Sequence, residues 1–330
     1  MTETTFNINN IREAASRLAG KIVHTPLLEV SLLNEQLGGR VLFKPECLQK
    51  TGAFKYRGAL NKLSTLSEEQ RKNGIVAFSS GNHAQGVAAT AKSLGVDATI
   101  IMPKDAPALK IANTRKYGAE VILYDRYTES REEIGRDLAE REGRALVKPY
   151  DDYDIMAGQG TAGLEIAESL QDMGIQADAL LCPCGGGGLM AGVSTAMKAL
   201  LPATEIYSVE PEGFEDTQRS LLSGKRECNE TQGGSLCDAI VTPQPGELTF
   251  AINQQNLSGG LVVSEADVKR AMREAFTHLK LVVEPGGVVG LAALLSGAYD
   301  VRGKTVVVLL SGGNVDMATF IDCCDSATNG

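Results

Sequence analysis

Ala179-Leu180-Leu181-Cys182-Pro183-Cys184-Gly185-Gly186-Gly187-Gly188-Leu189 runs from an apolar stretch into four consecutive glycines, and a helical pattern follows to about Leu200. A strand, then glycines, then a helix turns backbone N–H groups toward one point at a helix N-terminus. That arrangement binds anions such as phosphate. Two other loops follow apolar runs in the same way. Ser79-Ser80-Gly81-Asn82-His83-Ala84-Gln85-Gly86 comes after 75–78, and Ser311-Gly312-Gly313-Asn314 comes after 305–310.

Around these loops strand-like and helix-like patterns alternate. Strands are expected at 75–78, 98–102, 121–124 and 145–148. Helices are expected at 83–94, after Pro107, at 130–141 and at 154–173. A second series holds strand 179–182, a helix to about 200 and strand 206–209. Such alternation argues for parallel sheets covered by helices. The segment 211–256 reads as loops with short helices. A helix near 266–279, the apolar run 288–295 and a strand at 305–310 follow. The N-terminal part carries a helix near 11–18, a turn at Thr25-Pro26 and a strand at 41–44. No low-complexity linker separates the two α/β units, so the crevice between them is the expected ligand site.

The 330 residues are 43% hydrophobic, enough for a sizeable core without staples. A net charge of −9 and the lack of a basic run argue against nucleic acid or an anionic membrane as partner. No secretory h-region and no run of about 18 apolar residues is present. Seven cysteines, an odd number in a large chain, disfavour a disulfide framework and suit a cytoplasmic setting. Cys182-Pro183-Cys184 and Cys323-Cys324 lack zinc-site spacing.

A lysine stands out in Thr51-Gly52-Ala53-Phe54-Lys55-Tyr56-Arg57-Gly58. Between two aromatics it can be held away from water, which lowers its pKa and frees the amine for Schiff-base chemistry. A competing reading takes Gly186-x-Gly188-x-x-Ala191 as a dinucleotide fingerprint. Glu210 then stands about 20 residues on as the ribose-binding acid, implying a nicotinamide-dependent oxidoreductase. That reading leaves Lys55, Asn82 and Ser311 without a role. A non-catalytic binding protein on the same fold is the third reading.

The set TGAFKYRGA, SSGNHAQG, AGQGT (157–161), CGGGGL and LSGGNVD, in this order, resembles the fold-type II pyridoxal-phosphate enzymes. Within them it is similar to the threonine/serine dehydratase (ammonia-lyase) and serine racemase branch, and most like a threonine dehydratase without a regulatory domain. The likeness runs from His24-Thr25-Pro26-Leu27 to the third loop. It implies a tryptophan synthase β-like α/β fold: two open, twisted, mostly parallel sheets flanked by helices, with the cofactor in the cleft. Residues 1–68 and 149–330 would form the large domain and 69–148 the small one.

The resemblance also implies roles. Lys55 would carry pyridoxal 5′-phosphate as a Schiff base, with Phe54 beside the ring. Asn82 would meet the 3′-hydroxyl. Gly185, Gly186, Gly187, Gly188 and Leu189 would hold the phosphate, Ser311 the pyridine nitrogen, and Glu284 would lie near the cofactor. Ser79, Ser80, Gly81, Asn82 and His83 would bind the substrate carboxylate. The reaction implied is β-elimination from L-threonine or L-serine, giving a 2-oxo acid and ammonia, with Lys55 as the base at Cα. Serine in place of alanine at Ser80 points to racemase-like chemistry, because its hydroxyl faces Cα opposite Lys55. Tyr150 points back to the dehydratases. Another 3-hydroxy amino acid, such as 3-hydroxyaspartate or phenylserine, is the alternative substrate. Glu210, the Phe214 carbonyl and Asp216 match a cation site for Mg²⁺ or Ca²⁺. Asp238 is a candidate for the pocket wall, and a homo-oligomer, dimer or tetramer, is expected.

Overall fold

The computed structural model describes residues 6–326 except Ser80, Pro107 and Gln232. Ten strands build two sheets: β1 (Leu28–Glu29), β2 (Arg40–Pro45), β3 (Ile75–Phe78), β4 (Ala98–Pro103), β5 (Glu120–Tyr124), β6 (Ala145–Val147), β7 (Ala179–Pro183), β8 (Glu205–Pro211), β9 (Gly259–Val263) and β10 (Thr305–Leu310). The larger sheet has the order β1-β2-β10-β7-β8-β9 and the smaller one β5-β4-β3-β6. Among the described residues, β1–β2 is the one antiparallel strand pair. The central strands are continuous apolar runs because helices cover both faces. In β7 all five residues are buried, and in β10 all but Thr305 are.

The run 288–295 belongs to helix Pro285–Leu295, which packs in the largest core with Val306, Val308 and Leu310 of β10. Its start follows local rules: Glu284 is extended, and Pro285 at the first position has no N–H to lose. The segment 211–256 holds two regular helices, Asp216–Ser223 and Glu247–Asn256. β9 is a strand that the sequence pattern does not announce, since Gly259 and Gly260 carry no β propensity. The helix expected near 266–279 is Glu265–Glu274, ending in a wide turn over Ala275–Leu279. Pro107 lies outside the described residues, and helix Ala108–Lys116 follows it. Among the described residues no helix is long and apolar enough to cross a membrane.

Candidate active site

The carboxyl ends of β10 and β7, the β3 loop and the start of the Lys55 helix converge on one cavity. Phe54, Lys55, Ser79, Gly81, Asn82, His83, Gly185 to Leu189 and Ser311 all line it. Ser80 lies outside the described residues. Lys55 and Ser311 share one cavity because the two loops are stitched together. Phe54 N donates to Ser311 O at 3.1 Å, and Ala53 bridges Gly312.

Lys55 opens helix Lys55–Ser64, and its Nζ donates to Pro149 O at 2.7 Å. Its open surface faces the cavity and the ammonium is enclosed, so burial alone brings its pKa down to about 8. Only one of the flanking aromatics accompanies it. Phe54 lies 5.2 Å from Nζ, whereas Tyr56 packs with Leu18 and Leu60. Successive residues at a helix start point about 100° apart, so the two rings cannot both face the amine.

The glycine loop is held from behind. Gly186 O accepts from Thr249 Oγ1 at 2.7 Å and from Gly246 N at 3.2 Å. Gly187 O accepts from Ala191 N at 2.8 Å and from Asn253 Nδ2 at 3.3 Å. With the carbonyls turned outward, the N–H groups of Gly185, Gly186 and Gly187 find no protein acceptor among the described residues. Gly187 has φ +88°, which favours glycine, and it caps helix Gly188–Leu200. The Tyr150 ring lies against Gly186, and the Tyr150 Cβ and backbone lie against Gly188, leaving no room for side chains. Unpaired N–H donors at a helix N-terminus fit a phosphate group.

Asn82 is the first residue of helix Asn82–Leu94. Its Nδ2 donates to Glu284 Oε1, and its Oδ1 accepts from Asn314 Nδ2 at 2.9 Å. Glu284 is buried behind Asn82, outside the cavity wall. Burial pushes its carboxyl up to about 7 against the opposing effects of Lys110 and Asn82. Ser79 Oγ accepts from Gly81 N at 3.1 Å and shapes the loop. His83 shares a contact of 3.3 Å between Nε2 and Val147 O. Burial and then the Lys55 charge hold its pKa near 3, so the imidazole is neutral. Asp238 is the only carboxylate in the described cavity wall, and it faces Lys110 Nζ at 3.5 Å.

Sequence reasoning missed Arg131 and Lys110, which also line the cavity. Arg131 stacks over Phe78 at 5.5 Å. It opens a charge-rich helix, Arg131–Glu142, that reads as a solvated surface, so no sequence signal marks it. Thr249 and Asn253, which hold the glycine loop, were equally silent.

Glu210, Phe214 and Asp216 do not line the cavity; Glu210 and Asp216 lie behind its wall, close enough to add to burial in raising the Cys184 thiol. Glu210 accepts Thr217 N at 2.8 Å and Gln218 N at 2.9 Å at the start of helix Asp216–Ser223. A ribose-binding role for Glu210 is therefore ruled out, and the dinucleotide reading falls with it: the carboxylate is buried against backbone N–H groups, outside the cavity. Asp216 accepts from Asn229 Nδ2 at 2.7 Å, while its Oδ2 and the Oε2 of Glu215 are buried without a partner. Burial raises both carboxyls, Asp216 to about 7, and Asp216 raises Glu210 further. Uncompensated acid of this kind fits a hard cation. Among the described residues no group of three or more His, Cys, Asp or Glu side chains is arranged to hold a metal ion.

A lysine held in a desolvated slot, an anion cup and a serine at the facing strand end define a cofactor-dependent enzyme. The chain belongs to the pyridoxal-phosphate-dependent enzymes: the family model described as "Pyridoxal-phosphate dependent enzyme" matches residues 18–312. It is 46% identical over 311 residues to an L-threo-3-hydroxyaspartate ammonia-lyase of Saccharomyces cerevisiae (strain ATCC 204508 / S288c), covering 94% of each chain. It is 40% identical over 312 residues to a serine racemase of Schizosaccharomyces pombe (strain 972 / ATCC 24843), covering 94% of this chain and 95% of that one. Among solved structures it is similar to a threonine deaminase of T.th., with a TM-score of 0.89 and 46% identity over 94% of this chain and 99% of that one.

Proposed function

We propose that this protein releases ammonia from an L-3-hydroxy amino acid, L-threonine and L-serine first, leaving a 2-oxo acid. The observation that carries the reading is Lys55, an amine held in a dry slot facing an unpaired anion cup. When bound, pyridoxal phosphate supplies an electron-withdrawing ring that stabilises negative charge at the substrate Cα. The residues do the rest. Lys55 would anchor the group, and the N–H groups of Gly185 to Leu189 would hold its phosphate. Asn82, fixed by Glu284 and Asn314, would hold the ring hydroxyl, and Ser311 would meet the ring nitrogen with a neutral hydroxyl. The 79–83 loop holds the substrate carboxylate. As a free amine, Lys55 would take the proton from Cα. With a pKa of about 8, roughly a tenth of it is a free base at pH 7, against well under a thousandth for an ordinary lysine. The site lies between a small unit, 69–148, and a large one, 1–68 with 149–330.

A second reading, 3-hydroxyaspartate as the preferred substrate, is favoured by Arg131 and Lys110, two further cations in a wall with a single carboxylate. The identity to the yeast 3-hydroxyaspartate ammonia-lyase points the same way. Measuring 2-oxo acid release over a panel of L- and D-3-hydroxy amino acids tests both. Ser80 is proposed to serve the opposite face of Cα, so Ser80→Ala should abolish chemistry on D-serine and spare L-elimination. Solvent deuterium incorporation from D-serine reads it.

Seven free cysteines support a reducing, cytoplasmic setting. Phe276, Val282, Met317 and Ile321 stay exposed, which supports a homo-oligomer. Light scattering distinguishes monomer, dimer and tetramer.

A further inference from the structure

Beneath the Lys55 helix lies a charge cluster outside the cavity wall. Arg57 is fully buried, and all of its guanidinium nitrogens are engaged. Nε and Nη2 donate to the two oxygens of Glu46 at 2.7 and 2.8 Å. Nη1 and Nη2 donate to the two oxygens of Glu165 at 2.6 and 2.8 Å, and Nη1 also reaches Thr161 Oγ1 at 3.1 Å. Lys44 Nζ donates to Glu165 Oε2 at 2.5 Å and to Thr25 O at 2.7 Å. Thr25 Oγ1 donates to Glu46 Oε1 at 2.6 Å. Two cations and two anions thus balance in the interior. Burial pushes the Glu46 carboxyl up, but Arg57, Lys44 and Thr25 together more than offset it and leave it below its ordinary value.

Such a group seldom stabilises a protein more than well-packed apolar residues would. A fully satisfied network does fix relative geometry. This one joins the Thr25 loop, β2, the turn at Glu46, the Lys55 helix and helix Tyr153–Asp172. The same two helices touch backbone to backbone. A Cβ on Gly158 would lie 2.6 Å from Gly58 Cα and from Arg57 O, and Gln159 Oε1 accepts Gly58 N at 3.1 Å. The AGQGT motif is therefore the face that grips the Lys55 helix.

We propose that Arg57, Glu46, Glu165 and Lys44 are positioning residues that hold the first turn of the Lys55 helix so that the amine stays in its slot against Pro149 O. The inference rests on Lys55 being the cofactor lysine. A displacement of about 1 Å at a reacting group lowers a rate on the order of a hundredfold. From the neighbouring elements Lys55 faces neutral His83, and Lys110, Arg131, Tyr150 and Asp238 share its cavity.

The test uses the cofactor-free chain. A small acylating reagent is applied across pH, and Lys55 labelling is followed by mass spectrometry. Wild type should titrate near 8. Glu165→Gln and Arg57→Lys should move the midpoint up by a unit or more toward 10.5, as the loosened amine reaches water. Leu170→Ala empties the apolar core at the far end of helix Tyr153–Asp172 and should lower the melting temperature without moving that midpoint. Loss of stability in all three variants with an unmoved midpoint overturns the proposal. Should Arg57→Lys fail to fold, Glu165→Gln, nearly equal in volume, decides alone. Borohydride reduction of the holoenzyme marks the lysine that carries the cofactor. A mark elsewhere ends the reading of Lys55 as the cofactor lysine, and the proposal that rests on it, whereas an unmoved midpoint ends only the proposal.

Discussion

Lys55 Nζ and the Pro149 carbonyl meet at 2.7 Å, joining the first residue of a helix to the segment by which the chain returns from the small sheet. The next three residues work at the same junction. Tyr150 covers the glycine loop, Asp151 accepts the N–H groups of Leu248 and Thr249, and Asp152 caps helix Tyr153–Asp172.

Burial of Lys55 makes a prediction about stability. Below about pH 8 folded and unfolded chains both hold its proton, and the fold bears the full cost of enclosing an ammonium. Between about 8 and 10.5 the folded chain is deprotonated first and the cost fades, so this group makes stability rise with pH. Lys55→Met in the cofactor-free chain should therefore be more stable than wild type below pH 8, by on the order of 3 kcal/mol. The gain should shrink toward pH 10.5, and urea unfolding at several pH values checks it. The same variant should bind no reducible chromophore.

If Ser311 meets the ring nitrogen as proposed, it offers a neutral hydroxyl where a carboxylate would hold a proton on the ring. Ser311→Ala should keep the cofactor and lower turnover about tenfold or less, as expected for losing roughly 0.5–1.5 kcal/mol. Visible absorbance and ketoacid release read the two effects separately.

Thr249→Val removes one of two donors to the Gly186 carbonyl while keeping the shape. It should cost about 1 kcal/mol and weaken cofactor retention, and Thr249→Ser should restore both. Thermal melting and the dissociation constant for pyridoxal phosphate are the measurements.

If Glu210, Asp216 and the Phe214 carbonyl hold a cation, Mg²⁺ or Ca²⁺ should raise the melting temperature. Binding to the native state alone gives about 2.7 kcal/mol at a hundredfold excess over the dissociation constant. Chelator should reverse the rise, and Glu210→Gln should be indifferent to both additions.

The parts of the site built from consecutive residues were legible in the sequence. The glycine cup, the 79–83 loop and Lys55 each announce themselves through strand–glycine–helix spacing or composition. What stayed hidden depends on contacts across the chain. Arg131 reaches the cavity only because its helix packs on β3 beside Phe78. Thr249 matters only because helix Glu247–Asn256 backs the cup. Glu284 acts on the cavity through Asn82, 202 positions earlier in the chain. The fold was legible where apolar runs alternate with helical periodicity, and was lost at β9, whose glycines conceal a strand. Tyr56, read as a companion of Lys55, shows the limit of sequence adjacency: the next residue along a helix start looks elsewhere.

The place of β10 between β2 and β7 bears on how the chain is made. Strand β10 starts about 260 residues after β2 ends. At a synthesis rate of roughly 5–20 residues per second, β2 and β7 wait tens of seconds or less for the strand that separates them. Until then each presents an open edge, a template for wrong pairing. Ser311 follows β10 directly, so the strand that closes these edges also delivers a residue of the cavity wall. A nascent chain stopped short of β10 lacks both its central strand and one wall of the cavity, so the cofactor pocket is formed only once β10 has been made.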